Sequence, residues 1–439
     1  MERSIFKDRL FLTILIISIP LVSICAAQVQ KTFTWKYPVN MQTMVKFDNY
    51  NCDLTIHSWD KSEAEYHLTI EVTGRTKDDE ERLLKFIEGY NFSHSGASVQ
   101  FSTIFWKNRR TINNKTTLEI EGQKSIELSE FNMKGELWIP AQCTFSIDSK
   151  YSRIDMEDFS GKLKMELYND HLRGGNITSA AELEAKYATI ELRDLGGFNA
   201  ELYNCDFDAA NAGDLLISSK YSKVNLKNAG RVSVDSYNDK IAFEKTGALK
   251  FSAKYSDLKS NTSASVNLDC YNGTVEITNS DDIKLTSKYA EYSFEKTGDL
   301  KVVDTYNDKF HIGKLATMRV DVSKYSVYRL DEVANAFIIT DGYNDNVDIT
   351  RTTASLSGIS VNGKYMDISL GILQSLNLRL KANIKYPSLD MNESAFTTKT
   401  KILDDSELQY DGTRGADKPD LPLVEIKGYE VKLRIRDLK

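Results

Sequence analysis

The sequence predicts an all-β chain: a parallel β-helix, or β-solenoid, with rungs of about 17–18 residues. Three observations predict it. The first is a dipeptide that alternates along the chain: Lys150-Tyr151, Tyr168-Asn169, Lys186-Tyr187, Tyr203-Asn204, Lys220-Tyr221, Tyr237-Asn238, Lys254-Tyr255, Tyr271-Asn272, Lys288-Tyr289, Tyr306-Asn307, Lys324-Tyr325 and Tyr343-Asn344. Lys364-Tyr365 and Lys385-Tyr386 close the series, and the intervals run from 17 to 21 residues. Self-similarity at such a period marks stacked units. The second is an apolar period of two between the pairs, as in Leu249, Phe251 and Ala253. That is a strand period and disfavours a helical solenoid. The third is that each pair interrupts the alternation. Two consecutive residues leave the inward row together, which a bend allows and a straight strand does not. Small residues (Ala, Ser, Asp, Cys or Gly) flank the pair, as the tight inside of a corner requires.

Residues 1–27 read as a secretory signal peptide. Arg3, Lys7 and Arg9 precede an apolar run from Leu10 to Ile24, and Ala26-Ala27 offers a cleavage site before Gln28. The run is short for a membrane span, and Ile24 before Cys25 disfavours lipidation. The expected location is therefore exported: periplasm, outer-membrane surface or medium, with no transmembrane span after cleavage.

Residues 28–145 read as an N-terminal cap containing an early rung. Val45, Phe47 and Asn49 alternate up to Tyr50-Asn51, and Cys52, Leu54 and Ile56 continue beyond it. Residues 64–73 read as a strand. From Thr76 to Tyr90 a short helix is expected, with Thr76 and Asp79 as capping box and Leu83, Leu84 and Ile87 on one side. Strands are expected at 97–105, 116–121, 124–129 and 133–139. A bare solenoid end exposes core and unpaired backbone, so it needs such a cap.

Residues 146–391 form the repeat. Each rung is expected as two short strands meeting at the pair, then a polar return such as Glu244-Lys245-Thr246-Gly247, with glycine supplying turn conformations. The general crossover preference makes a right-handed coil the expectation. Residues 392–439 read as a loop excursion, then a closing rung in which Lys427-Gly428 takes the corner.

Lys and Arg number 56 and Asp and Glu 63, a net charge of −7. Residues 1–27 hold three basic and two acidic residues, so the remainder carries 53 against 61, a net charge of −8. That argues against nucleic acid as partner, since duplex binding rests on many cation–phosphate contacts. Cys205 and Cys270 lie four rungs apart, roughly 19 Å, beyond disulfide reach, and read as small core residues. A Cys52–Cys143 bond stays open.

In-register rungs would set two columns on the surface, one alternating Lys and Tyr, the other Tyr and Asn. The candidate ligand face runs from Lys186, Tyr187, Tyr203 and Asn204 to Tyr306, Asn307, Lys324 and Tyr325. Each lysine is expected between tyrosine rings at cation–π range. The face either stiffens the corner or holds an extended ligand, polysaccharide or a surface protein, against Tyr rings and Lys and Asn hydrogen-bonding groups. An enzyme would need clustered carboxylates or cations. In the two outward columns after the corner, Asp206 and Asp208 form the close acidic pair, and a solvated face accounts for them. His57, His67, His94, His171 and His311 are scattered and suggest no metal. No nucleotide loop or nucleophile motif is found, and no cofactor is expected.

The stretches VKFDNYNCDLTIHSWDKSEAEYHLTIEV (45–72), MKGELWIPAQCTFSIDSKYSRIDMED (133–158), the Lys-Tyr/Tyr-Asn rungs and VEIKGYEVKLRI (424–435) resemble the adhesin family of β-strand-repeat proteins of bacterial envelopes. The resemblance covers nearly all of the chain after residue 27. It implies an exported, non-enzymatic β-solenoid and transfers no catalytic residues. The expected function is adhesion or envelope surface binding through the Tyr/Lys/Asn face. The alternatives are a polysaccharide-processing β-helix enzyme and a purely structural envelope component.

Overall fold

The computed structural model describes residues 28–113, 115–404, 406–416 and 418–439; the expected signal peptide lies outside them. The chain is a β-solenoid. Strands such as Val232–Tyr237 and Lys240–Lys254 pair in parallel with the rungs on either side, so that Tyr237 faces Lys254, which faces Tyr271, which faces Lys288. This is the register that the alternating dipeptide predicts.

Between residues 240 and 343 each strand runs unbroken from one corner to the next, as in Asp257–Tyr271 and Thr274–Lys288. Within Asp257–Tyr271 the buried side chains are Leu258, Ser260, Ser263, Val266, Leu268 and Cys270. Two further exposed doublets, Asn261-Thr262 and Ala264-Ser265, interrupt the alternation. Each rung thus has one sharp corner and two softer bends around a single inward residue. The polar return is therefore strand, not loop. Thr246 faces inward and its hydroxyl lies 2.7 Å from that of Ser263 in the next rung. Gly247 has no positive φ. A Cβ there would stand 3.0 Å from the Gly230 carbonyl oxygen, so close approach between rungs selects glycine at that place.

At the N-terminal end the strand Met44–Tyr50 pairs with Thr144–Lys150 on one side and Ser98–Ser102 on the other. Antiparallel strands Val29–Pro38, Glu63–Gly74 and Ile126–Pro140 lie across the opening. Their aromatics fill the mouth: Tyr66 is fully buried, with its ring centroid 5.0 Å from Phe47 and 5.5 Å from Phe101. The helix Lys77–Glu88 starts as expected, Thr76 Oγ1 accepting from the Asp79 N–H and donating to its carboxylate.

The C-terminal end departs from expectation in two ways. First, residues 397–403 and 407–414 are not a loop but an antiparallel pair of strands, Thr397–Leu403 with Glu407–Arg414, which pairs with Leu378–Lys385 and closes the stack. Second, the last rung is not terminal. Leu423–Tyr429 inserts between Gly358–Lys364 and Leu378–Lys385, parallel to both, and Lys432–Leu438 inserts likewise between Asp367–Leu373 and Ser388–Asp390. Its corner is Tyr429-Glu430, not Lys427-Gly428: Tyr429 faces both Lys364 and Lys385, and Glu430 carries the positive φ of a corner.

The core is one continuous column of buried apolar side chains. Cys52, Cys143, Cys205 and Cys270 are all free and buried, so Cys52 and Cys143 do not pair. Burial pushes the Cys143 and Cys270 thiols up to about 12, which makes them inert packing groups.

Candidate functional site

The second residue of every corner is left-handed, with φ between +49° and +62° from Asn51 to Glu430. Asparagine tolerates that conformation; tyrosine pays roughly 1–2 kcal/mol for it. The strained peptide still satisfies its backbone. The N–H of Tyr255 donates to the Tyr271 carbonyl at 2.9 Å, that of Asn272 to Lys288 at 3.0 Å, and the relay repeats along the rod.

This conformation corrects the expected arrangement of side chains. The rings do not stand in two columns separated by lysines. The left-handed Cα swings the Lys-Tyr ring toward the rings of its Tyr-Asn neighbours, and all sixteen corner tyrosines form one ladder. It runs from Tyr50 through Tyr151, Tyr168, Tyr187, Tyr203, Tyr221, Tyr237, Tyr255, Tyr271, Tyr289, Tyr306, Tyr325, Tyr343 and Tyr365 to Tyr429 and Tyr386. Consecutive centroids are 5.3–5.7 Å apart at 68–82°, edge to face. Such a contact contributes about 0.5–1.5 kcal/mol beyond burial, so two per ring offset the left-handed strain.

Of the remaining face residues, Lys186, Lys220, Lys254, Lys288 and Lys324 are exposed at first positions, and Asn204, Asn238, Asn272 and Asn307 are exposed at second positions. Among the described residues no corner lysine lies over a corner ring. Instead Arg109 covers the first ring, 6.0 Å from Tyr50, while also facing Trp106 and Phe131. The ladder is well exposed; Tyr255, for example, keeps 46% of its surface in water. It therefore presents phenol hydroxyls together with the ring surface that the edge-to-face contacts leave free.

Beneath the corner lies polar chemistry that the small-residue reading missed. Asp170, Asp239, Asp308 and Asp345, each following a Tyr-Asn pair, are buried. Asp170 accepts from the N–H of Tyr168 at 3.0 Å and from that of Ser152, one rung away, at 2.7 Å. Asp239 does the same with Tyr237 and Ser222, Asp308 with Tyr306 and Ala290, and Asp345 with Tyr343 and Ser326. These carboxyls staple adjacent corners from inside. Burial raises Asp170 and Asp345 to about 6, and raises Asp308 as well.

A second missed feature is an acidic row two residues before the pairs. Asp48, Asp148, Glu166, Glu184 and Glu201 occupy five successive rungs, and Asp235, Asp269 and Asp304 continue it. Counting positions before each pair as well as after it would have found this row. Of the acidic pair expected after the corner, Asp208 bonds the Asn225 amide at 2.7 Å, an ordinary cross-rung contact. His57, His67, His171 and His311 each meet a different carboxylate, and among the described residues no group of three His, Cys, Asp or Glu could hold a metal.

No family profile and no curated protein matches the chain. Among solved structures, a Clostridium sporogenes protein described as a "putative cell adhesion protein" is similar, at 8% identity and a TM-score of 0.16, over 93% of this chain and 100% of that one. At that TM-score the likeness carries no argument, and the solenoid stands on the chain's own strand pairings.

Proposed function

We propose that this protein is an exported, non-enzymatic, adhesin-like rod whose tyrosine ladder is a contact face for envelope or extracellular glycan, or for a surface protein. One observation carries the reading: sixteen rings in unbroken contact along one edge, thirteen of them exposed and Tyr50, Tyr306 and Tyr429 half-buried, from the capped N-terminal end to the capped C-terminal end. Phenol hydroxyls line this edge at one rung's spacing, about 4.8 Å, and asparagine amides and lysine ammonium groups alternate along it at twice that spacing, which suits a ligand with a regular repeat. The ring-to-ring packing favours a second reading, that the ladder only stiffens the corner.

Changing Tyr237, Tyr271 and Tyr306 together to Ser separates the two. On a glycan array the expected result is binding by the parent and loss of at least about tenfold in affinity in the variant, with the β-type circular dichroism retained. Unchanged binding contradicts the proposal. If the Ser variant unfolds, the Phe variant keeps the ring contacts and removes three hydroxyls: lost binding supports a contact face, and retained binding leaves the ladder a stiffener. A reducing-end assay on the same glycans separates binding from cleavage.

A further inference from the structure

A groove of about 730 Å³ runs along the rod on the sheet that leads into the ladder, beside the rungs of Tyr237 to Tyr325. Its nearer wall lies four to five residues before the corner, so roughly 13–17 Å from the first-position column. One wall is the in-register row Ser233, Lys250, Asn267, Lys284, Lys301, Arg319. The other is Arg231, Ala248, Ser265, Asp282, Asp299, Thr317. Val232, Leu249, Val266, Ile283 and Leu300 line the groove between the rows.

Its charge runs against that of the protein. The groove residues carry five cations and two carboxylates, whereas the chain as a whole has a net charge of −7. Arg231 is paired with Asp214 at 3.6 Å and Lys301 with Asp321 at 3.4 Å. Among the described residues Lys250, Lys284 and Arg319 make no ion pair, and neither do Asp282 and Asp299 across from them. Three unpaired cations on one wall stand across from two unpaired carboxylates on the other, which suits a ligand with two kinds of group: anions for the first, hydroxyl donors for the second.

We infer that this groove binds an extended acidic polysaccharide, a chain of uronic-acid sugars lying parallel to the rod axis. Sugar carboxylates meet Lys250, Lys284 and Arg319 in charge-assisted hydrogen bonds, and sugar hydroxyls donate to Asp282 and Asp299. The rung spacing is close to the length of one pyranose in an extended chain, so Lys250, Lys284 and Arg319, two rungs apart, address every second sugar. Phosphate polymers fit poorly, because they bring dense charge and few hydroxyls against Asp282, Asp299 and the neighbouring row of Asp235, Asp269 and Asp304. The inference rests on the glycan-binding reading and names the ligand class.

The test is calorimetric titration of residues 28–439 with polygalacturonate oligomers, with neutral dextran oligomers of equal length as control. The variant is Lys250→Gln/Lys284→Gln/Arg319→Gln, all at exposed sites. Saturable uronate binding, weakened at least about tenfold in the variant with an unchanged melting temperature, is the expected result. Absence of uronate binding, or equal binding by the variant, overturns the groove. So does equal competition by polyphosphate or duplex DNA, which would make the contact one of charge alone. The Tyr237/Tyr271/Tyr306 variant keeps the two ideas apart. If it loses glycan binding while the groove variant keeps it, the ladder stands and the groove falls; the reverse pattern upholds the groove and removes the ladder.

Discussion

At the scale of the residue, each corner balances strain against contact. A tyrosine held at φ near +58°, as at Tyr187 and Tyr221, costs about what its two ring contacts return. Asparagine in the alternate rungs avoids that cost while the first-position tyrosine supplies the ring. Either form of the pair supplies the ladder with one ring per rung. That Asn sits second was a legible sign of left-handed backbone; that the rings would meet each other was not, because the direction of a side chain on left-handed backbone is not given by in-out alternation.

The buried carboxyls make a separate prediction. Asp170 and Asp345 have folded-state values near 6, above the ordinary carboxyl value of 3.8. A raised carboxyl value means the ionised form is the penalised one, so the stabilisation these groups allow is present below pH 4 and is lost as pH rises through 6, by about 3 kcal/mol for each. The Asp170→Asn/Asp345→Asn variant keeps an acceptor for the corner N–H groups but does not titrate. In melts from pH 4 to pH 7 the parent should lose ground to this variant as pH rises; a gap that widens in the parent's favour would reverse the assignment.

At the scale of the element, the alternation proves to be a spatial rule. In sequence it fails once, where Lys364-Tyr365 is followed by Lys385-Tyr386. In space it does not fail, because Tyr429-Glu430 lies between them. The failure was itself the sign of an inserted rung, and Tyr429-Glu430 the Tyr-first pair near the end able to fill it. Chain order hid it, since a solenoid is normally read rung after rung.

The insertion is pinned by Arg414, which is buried, bonds Asp437 at 2.7 Å and donates to the Leu373 and Leu376 carbonyls at 2.8 and 3.2 Å. Removing one partner of a buried pair costs about 3–5 kcal/mol. In Arg414→Ala, hydrogen exchange across 423–438 should speed up before that of 240–343; uniform exchange would mean the rung is held by its ladder alone.

At the scale of the whole molecule, the period, strand class, early rung and N-terminal helix were all legible, because local alternation and capping chemistry dictate them. The closing strand pair Thr397–Leu403 with Glu407–Arg414 was not: its outer strand is exposed along its whole length, so it carries no core-facing pattern. Aromatic plugs and antiparallel strands cover the N-terminal end and the closing pair covers the other, which limits edge-to-edge growth and leaves the long faces for contact. Of these, the ladder is the one feature shared by every rung.

Its role as a contact face is tested most directly by nitrating the tyrosines of the parent protein with and without an array-selected glycan, and locating the modified residues by mass spectrometry. Tyr66, Tyr292 and Tyr328, buried in the core, serve as unreactive references. The account predicts that Tyr221, Tyr237, Tyr255 and Tyr271 are modified in the free protein and protected together in the complex. Equal modification of these four in both states would contradict it.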